Sequence, residues 1–422
     1  MCAATRCSSG TKPSAGATLS PERRAPRQLW LLALLAAFVP LSIDTYLPSL
    51  PNIAREFDTS SAQVQLTIGV FLVGLCLGML VYGPLSDRFG RKRLLLGCIL
   101  LYMLASLGCM ASHSVEQLIG WRFLQALGGA GAMVLARTVV RDLYSLNEAA
   151  RVLSLMHVIA MLATLVAPLL GTYLVLLGDW RSIFAALLLV AGGCLIAVYG
   201  GLPESHQPSE RTASIGASFA LYGRVAVDPL ALCYILSMGL SVGGMFAFIT
   251  ASPFVFIDYF GFSPRAYSLL FALNLGGIIL ATVINARSVR RHGPLYLLSI
   301  GSRVAAAAGL SLILAGLVGG QQPWAVMAGV WVFVGISGLI GANCTASLMA
   351  LFPRNAGAAV GLAISLQYVC AAGVSGLVAV LADGTPLAMC LAIGACGIGS
   401  ALCYQAIQRL HRRRLSGTAP AY

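Results

Sequence analysis

Twelve long apolar runs divide this chain, and they limit its fold more tightly than any other feature. They lie at about Gln28 to Leu50, Ser61 to Tyr82, Leu94 to Ala111, Gln117 to Val140, Ala150 to Leu177 and Trp180 to Leu202. A second set follows at about Pro229 to Phe254, Pro264 to Ala286, Pro294 to Val318, Pro323 to Leu351, Asn355 to Leu381 and Thr385 to Gln408. Each is close to or above the ~20 residues that a helix needs to cross a bilayer. Lipid offers no hydrogen-bond partners, so a spanning segment is a helix or a strand of a closed barrel. No stretch alternates with period two over the ~10 residues of a barrel strand. The expectation is an all-α membrane protein of twelve transmembrane helices. Of 422 residues, 58% are apolar and 10% charged, against about 25% charged in a soluble domain.

The runs fall into two sets of six. Residues 1–27 are polar and basic and read as a disordered tail, 28–202 as a first six-helix bundle, and 203–228 as a polar linker opening Pro203-Glu204-Ser205. Residues 229–408 form the second bundle, and 409–422 a basic tail with Arg412, Arg413 and Arg414. The net charge of +13 would suit a polyanion, but its placement needs none. Arg55, Arg181 and Arg265 fall on one side of the membrane, Arg122 and Arg303 are assigned to spans, and the other cations to the tails and loops of the opposite side. Positive loops stay in the cytoplasm, so both termini and the linker are expected there, with no nucleic-acid partner. Of twelve Cys, ten lie along the runs. They read as packing residues, with no metal site and no disulfide frame.

The densest charged cluster between runs is Gly83-Pro84-Leu85-Ser86-Asp87-Arg88-Phe89-Gly90-Arg91-Lys92-Arg93. It reads as a tight turn, with Gly83, Pro84 and Gly90 reversing the backbone. Arg88-Phe89-Gly90 recurs as Arg291-His292-Gly293 after the second run of the second set, where Arg290 stands opposite Asp87. Two sets of six with a repeated loop point to a duplicated bundle.

Thirteen of the fourteen acids fall in loops, tails or helix ends, and Asp44 is the exception. A carboxylate at a helix centre costs about 2.5–3.5 kcal/mol on insertion scales, and such residues usually line a cavity and move protons or ions. Pro40 and Pro48 bracket Asp44, so local unwinding is expected there. Arg122, in Trp121-Arg122-Phe123-Leu124-Gln125, keeps its proton and needs a partner, and Asp44 is the expected one. Ala163, Ala167 and Gly171 with Pro168 form a small-residue stripe beside a bend. Tyr46, Gln65, Gln125, Asn274, Asn343 and Gln367 are candidate pocket residues. Phe246, Phe248, Phe254 and Phe256 read as packing or lipid-facing, with lining of an apolar pocket as the lesser alternative, and His157 and Arg303 as packing or snorkelling.

The cluster resembles the loop signature of the major facilitator superfamily, G-x-L-[AS]-D-R-x-G-R-[KR]. In that family the loop is a conformational latch, which the resemblance carries to Gly83, Asp87, Arg88, Gly90 and Arg91. Ala167-Pro168-Leu169-Leu170-Gly171 loosely resembles the antiporter signature G-P-x-x-G. Ser42-Ile43-Asp44-x-Tyr46-Leu47-Pro48, Arg122-Phe123-Leu124-Gln125 and Arg141-Asp142-Leu143-Tyr144 look like the Bcr/CflA drug-resistance subfamily, as do Gly243-Gly244-Met245-Phe246 and Phe271-Ala272-Leu273-Asn274. The resemblance implies a proton-coupled exporter of bicyclomycin- or chloramphenicol-like compounds in a bacterial inner membrane, and nothing in the sequence suggests more than a monomer. The proton gradient would be its energy source, with no cofactor, and Asp44 and Arg122 its coupling pair. The alternative is a proton-coupled carrier of a small metabolite, exporting or importing, on the same fold. An enzyme is not expected, because one intramembrane acid supplies no acid/base pair.

Overall fold

The computed structural model describes residues 21–205, 215–318, 322–353 and 355–415. The first twenty residues of the expected tail, linker residues 206–214 and the last seven residues lie outside that set. Every described element is helical.

The first crossing is broken. Helix α1 (Pro21–Ala36) starts seven residues before the expected Gln28 and bends by 44° into α2 (Phe38–Asp44). A 3-10 turn, Leu47–Ser49, then leads into α3 (Leu50–Glu56). Pro48 has no N–H for the carbonyl four residues back, which belongs to Asp44, so the α-helix ends there. The Tyr46 and Ser49 amides bond three residues back instead, to Ile43 O and Tyr46 O. Glu56, at the far end, accepts from Trp180 Nε1 (2.7 Å) and pairs with Arg181 (2.6 Å).

The other crossings of the first half are α4 (Ser61–Phe89), α5 (Arg91–Met110), α6 (Val115–Leu143), α7 (Leu146–Leu177) and α8 (Arg181–Gly201). Linker helix α9 (Ile215–Val227) lies inside the segment read as polar linker, and it packs on α4, α10 and α14. The second half is α10 (Pro229–Pro253) with a π-helical turn (Phe254–Tyr259), α11 (Pro264–His292), α12 (Pro294–Leu317), α13 (Pro323–Leu351), α14 (Ala356–Val380) and α15 (Leu387–Leu415). Starts are set by capping side chains. Ser60 accepts from Gln63 N, Ser263 from Ala266 N, and Asp228 from Leu230 N and Ala231 N; each such cap is worth about 1 kcal/mol.

Among the described residues eleven helices are long and apolar enough to cross a membrane, and the bent pair, taken as one span, makes twelve. Within the first half α4 packs on α6 and α5 on α6 and α8; within the second, α10 packs on α14 and α15, and α12 on α13 and α15. Between halves, α4 lies against α14 and α7 against α11. Those pairs are the second and fifth crossings of one half against the fifth and second of the other, as a two-fold pseudo-repeat requires. Twelve crossings bring both ends of the chain to one face, called here the terminal face. At the opposite face the halves touch: Thr172 and Ser268 share a hydrogen bond of 3.1 Å, and α3 meets the π-helical turn.

One expected turn is corrected. Gly83 and Pro84 lie inside α4, and the chain reverses only at Gly90, with φ +93° and ψ +152°. Its repeat counterpart Gly293 has φ +78° and ψ +161°. This backbone region is essentially confined to glycine and costs other residues about 1–3 kcal/mol. Gly83 has open space where a Cβ would stand, and Ala is the better helix former by about 1 kcal/mol. Gly90→Ala should therefore lower the thermal unfolding midpoint, and Gly83→Ala should leave it unchanged or raise it. Scanning fluorimetry of the purified variants checks this, and equal losses at both positions would contradict the placement of the turn.

Candidate functional site: a shared central cavity

A cavity of about 310 Å³ lies between the halves. Its first-half wall includes Pro40, Asp44, Met133, Arg137, His157 and Thr164. Its second-half wall includes Phe246, Phe248, Phe271, Asn274, Gln367 and Tyr368. Asp44 is 4% exposed, the last residue of α2, and Thr164 of α7 is within hydrogen-bonding reach of its carboxylate.

Arg122 makes no direct hydrogen bond or ion pair with Asp44 among the described residues. Its Nη1 donates to Ser42 O (3.0 Å) and to Gln125 Oε1 (2.7 Å), and Gln125 Nε2 donates to Ser106 Oγ (2.9 Å). The guanidinium is fully buried, 4.2 Å from the Phe71 ring centroid, 4.7 Å from Tyr46 and 5.9 Å from Phe184. Nε and Nη2 have no hydrogen-bond partner among the described residues, and cation–π attraction, about 2 kcal/mol or more when desolvated, falls in their place. A carbonyl, an amide and three rings thus hold a charge for which the sequence offered only one acid. The carbonyl belongs to the residue two before Asp44, so Arg122 clamps the approach to the break.

Gly171 holds the break from the other side. A Cβ there would collide with the Thr45 carbonyl oxygen. The small residue near Pro168 therefore admits the unwound backbone of the first crossing, while α7 runs as one helix through Pro168. The Ser42 hydroxyl also shares a 2.5 Å hydrogen bond with Tyr102.

Of the six candidate pocket residues, Asn274 and Gln367 line the cavity. Asn274 Nδ2 donates to Leu270 O (3.1 Å), and its Oδ1 is buried without a partner among the described residues. Tyr46 is in the first-half core, its hydroxyl 3.2 Å from Thr67 Oγ1. Gln125 serves Arg122, and Asn343 donates to Asn285 (2.7 Å). Gln65 lines a small crevice with Ala251 and Val378.

Four residues read mainly as packing, snorkelling or loop cations line the cavity. Phe246 and Phe248 are on its wall, as is His157, which places a histidine in the same cavity as Asp44. Arg137 was counted among the cytoplasmic loop cations, yet it lies within α6 on the cavity wall. Its position three residues inside the expected fourth run was the signal for it. Arg303 donates to Ser299 Oγ (2.6 Å) within α12.

At the terminal face the residues expected to form a latch lie around Arg91. It pairs with Asp87 (2.6 Å) and Asp142 (3.0 Å) and bonds Ser86 Oγ. Glu204 Oε1 accepts from Arg91 N (2.8 Å) at the start of α5. Arg88 stacks on Phe89, 5.6 Å from its centroid.

Two pseudo-symmetric six-helix halves around a shared cavity define a multi-pass membrane carrier of small molecules. The chain belongs to the Major Facilitator Superfamily, whose sequence profile matches residues 32–376. A bicyclomycin resistance protein homolog of Haemophilus influenzae is 33% identical over 378 residues, 88% of this chain and 94% of the relative. The multidrug resistance protein MdtL of Salmonella heidelberg is 30% identical over 285 residues, 67% of this chain and 71% of the relative. Among solved structures, a D-xylose-proton symporter superposes with a TM-score of 0.72 at 17% identity, covering 90% of this chain and 96% of that one. The xylose transporter XylE from E. coli, inward open, gives 0.71 at 16%, covering 90% and 95%. At those identities the likeness is one of fold.

Gly171→Ala should displace Thr45 and slow transport several-fold in a protein that still inserts, because misplacing a site by about 1 Å can cost two orders of magnitude. Initial transport rates in vesicles at matched protein levels check this. A wild-type rate would show that the break tolerates the added methyl group.

Proposed function

We propose that the protein is a proton-coupled exporter of small amphipathic drugs of the bicyclomycin or chloramphenicol kind. It would work by alternating access across a bacterial inner membrane, with both termini in the cytoplasm. The observation that carries the reading is Asp44: a carboxylate 4% exposed, at a helix break, on the wall of a cavity shared by both halves. The drug-resistance names of the curated relatives support the substrate class. The concentration of Lys and Arg at the terminal face supports the orientation.

In this reading Asp44 takes up a proton when the cavity faces the acidic side. A neutral carboxyl is easier to bury than a carboxylate, so protonation lets the halves rock and turn the cavity to the cytoplasm. Drug binding there favours proton release, and the ionised form favours return. Exchange needs only that drug and proton prefer different states of one equilibrium. Arg122 positions the site by holding Ser42 O. Phe246, Phe248 and Phe271 supply apolar contact, and the unpartnered Asn274 Oδ1 offers an acceptor to a solute donor. A mainly apolar wall with few polar groups suits several related solutes.

Asp44→Asn should insert and fold but lose drug-driven proton efflux in energised everted vesicles, where wild type responds to chloramphenicol or bicyclomycin. Efflux at the wild-type rate in that variant would falsify the carrier role of Asp44. Asp87→Asn should cut turnover several-fold while leaving the drug Kd within about twofold, because Asp87 belongs to the Arg91 cluster and not to the cavity. Loss of affinity with normal turnover would move Asp87 out of the latch.

A further inference from the structure

Arg137 is exposed on a cavity wall, on a helix whose neighbouring Ala136, Val139 and Val140 are fully buried. It stands six residues before the end of α6, about 9 Å from that end by helical rise. None of the described ion pairs or hydrogen bonds involves its side chain, in contrast to Arg91, Arg122, Arg181, Arg303 and Arg414, each of which has a named partner. A charged side chain at membrane depth usually pairs with another group or faces a water-filled route. Arg137 faces the route, with its five donors uncommitted.

We propose that Arg137 is a specificity-determining residue that binds an oxyanion, such as a carboxylate, on the transported solute. A guanidinium grips planar oxyanions through two parallel hydrogen bonds. Asp44, the acid on the same cavity wall, carries no positive charge in either protonation state, so Arg137 is the cavity's guanidinium for an oxyanion. The solute is therefore held with its anionic end at Arg137 and its apolar body against Phe246, Phe248 and Tyr368. The substrate class extends from neutral drugs to amphipathic organic acids. This rests on the exporter reading only in taking the cavity as the solute site.

The test is equilibrium binding of two probes of nearly equal size, N-acetylphenylalanine and its neutral amide, to the purified full-length protein by isothermal titration calorimetry. The acid should bind about tenfold more tightly than the amide to wild type, the scale of a charge-assisted bond. R137Q should bring the two to parity. R137K should keep part of the preference, because it keeps the charge and loses the fork. Equal binding of acid and amide by wild type, an unchanged preference in a monodisperse R137Q, or no binding of either probe by wild type overturns the proposal. The comparison of acid with amide in wild type needs no variant to fold. Binding at equilibrium is independent of proton coupling. A preference that holds while drugs drive no proton flux would sink the exporter reading alone, and its absence beside normal flux would sink only this inference.

Discussion

A helix in lipid must satisfy its backbone within itself, and past Asp44 the first crossing does so only by tightening to bonds that reach three residues back. Such a break is tolerated only where protein or a cavity surrounds it. Thr45, Tyr46 and Ser49 are all buried, and the supports are specific. Arg122 and Tyr102 hold Ser42, and Gly171 admits the Thr45 carbonyl. Residues that look unrelated in sequence, an intramembrane arginine and a helix-7 glycine, serve one short unwound stretch. That stretch presents the carboxylate to the cavity.

The rest of the architecture follows from placing this stretch between the two halves. The 3-10 turn touches α10 and α11 of the second half, and α3 meets the π-helical turn, so the break sits where the halves meet at the face away from the termini. At the terminal face, the Arg91 cluster joins α4, α5 and α6 and is tied by Glu204 to the stretch entering the linker. Interfaces of this kind are bistable rather than continuously deformable.

Much of this was legible in the sequence, for physical reasons. Crossings can be read because lipid demands unbroken apolar length, and Asp44 because an acid in such a run is costly. Pro40 and Pro48 announced a break because a missing N–H cannot be compensated within the helix. Partners were less legible. Charge matching paired Arg122 with Asp44, but a guanidinium is also satisfied by carbonyls, amides and ring faces, and these leave no signature at a distance in sequence. Gly83 and Pro84 are turn formers that a helix also tolerates near its end, so only Gly90, with φ +93°, marks the reversal. Arg137 was missed because a cation near a span's end is assigned to the loop, whereas α6 continues to Leu143. For Phe246 and Phe248 the cavity was the lesser of the readings, because aromatic residues face lipid, core and cavity alike.

The central claim is that solute binding and the protonation of Asp44 oppose one another. Proton release on chloramphenicol or bicyclomycin binding tests it most directly, measured with an indicator dye in weakly buffered solution on purified protein. The account predicts that saturating drug releases protons in a fixed ratio to sites filled, over a limited pH range in which the carboxyl is protonated before binding. Saturable drug binding with no proton released at any pH would contradict it.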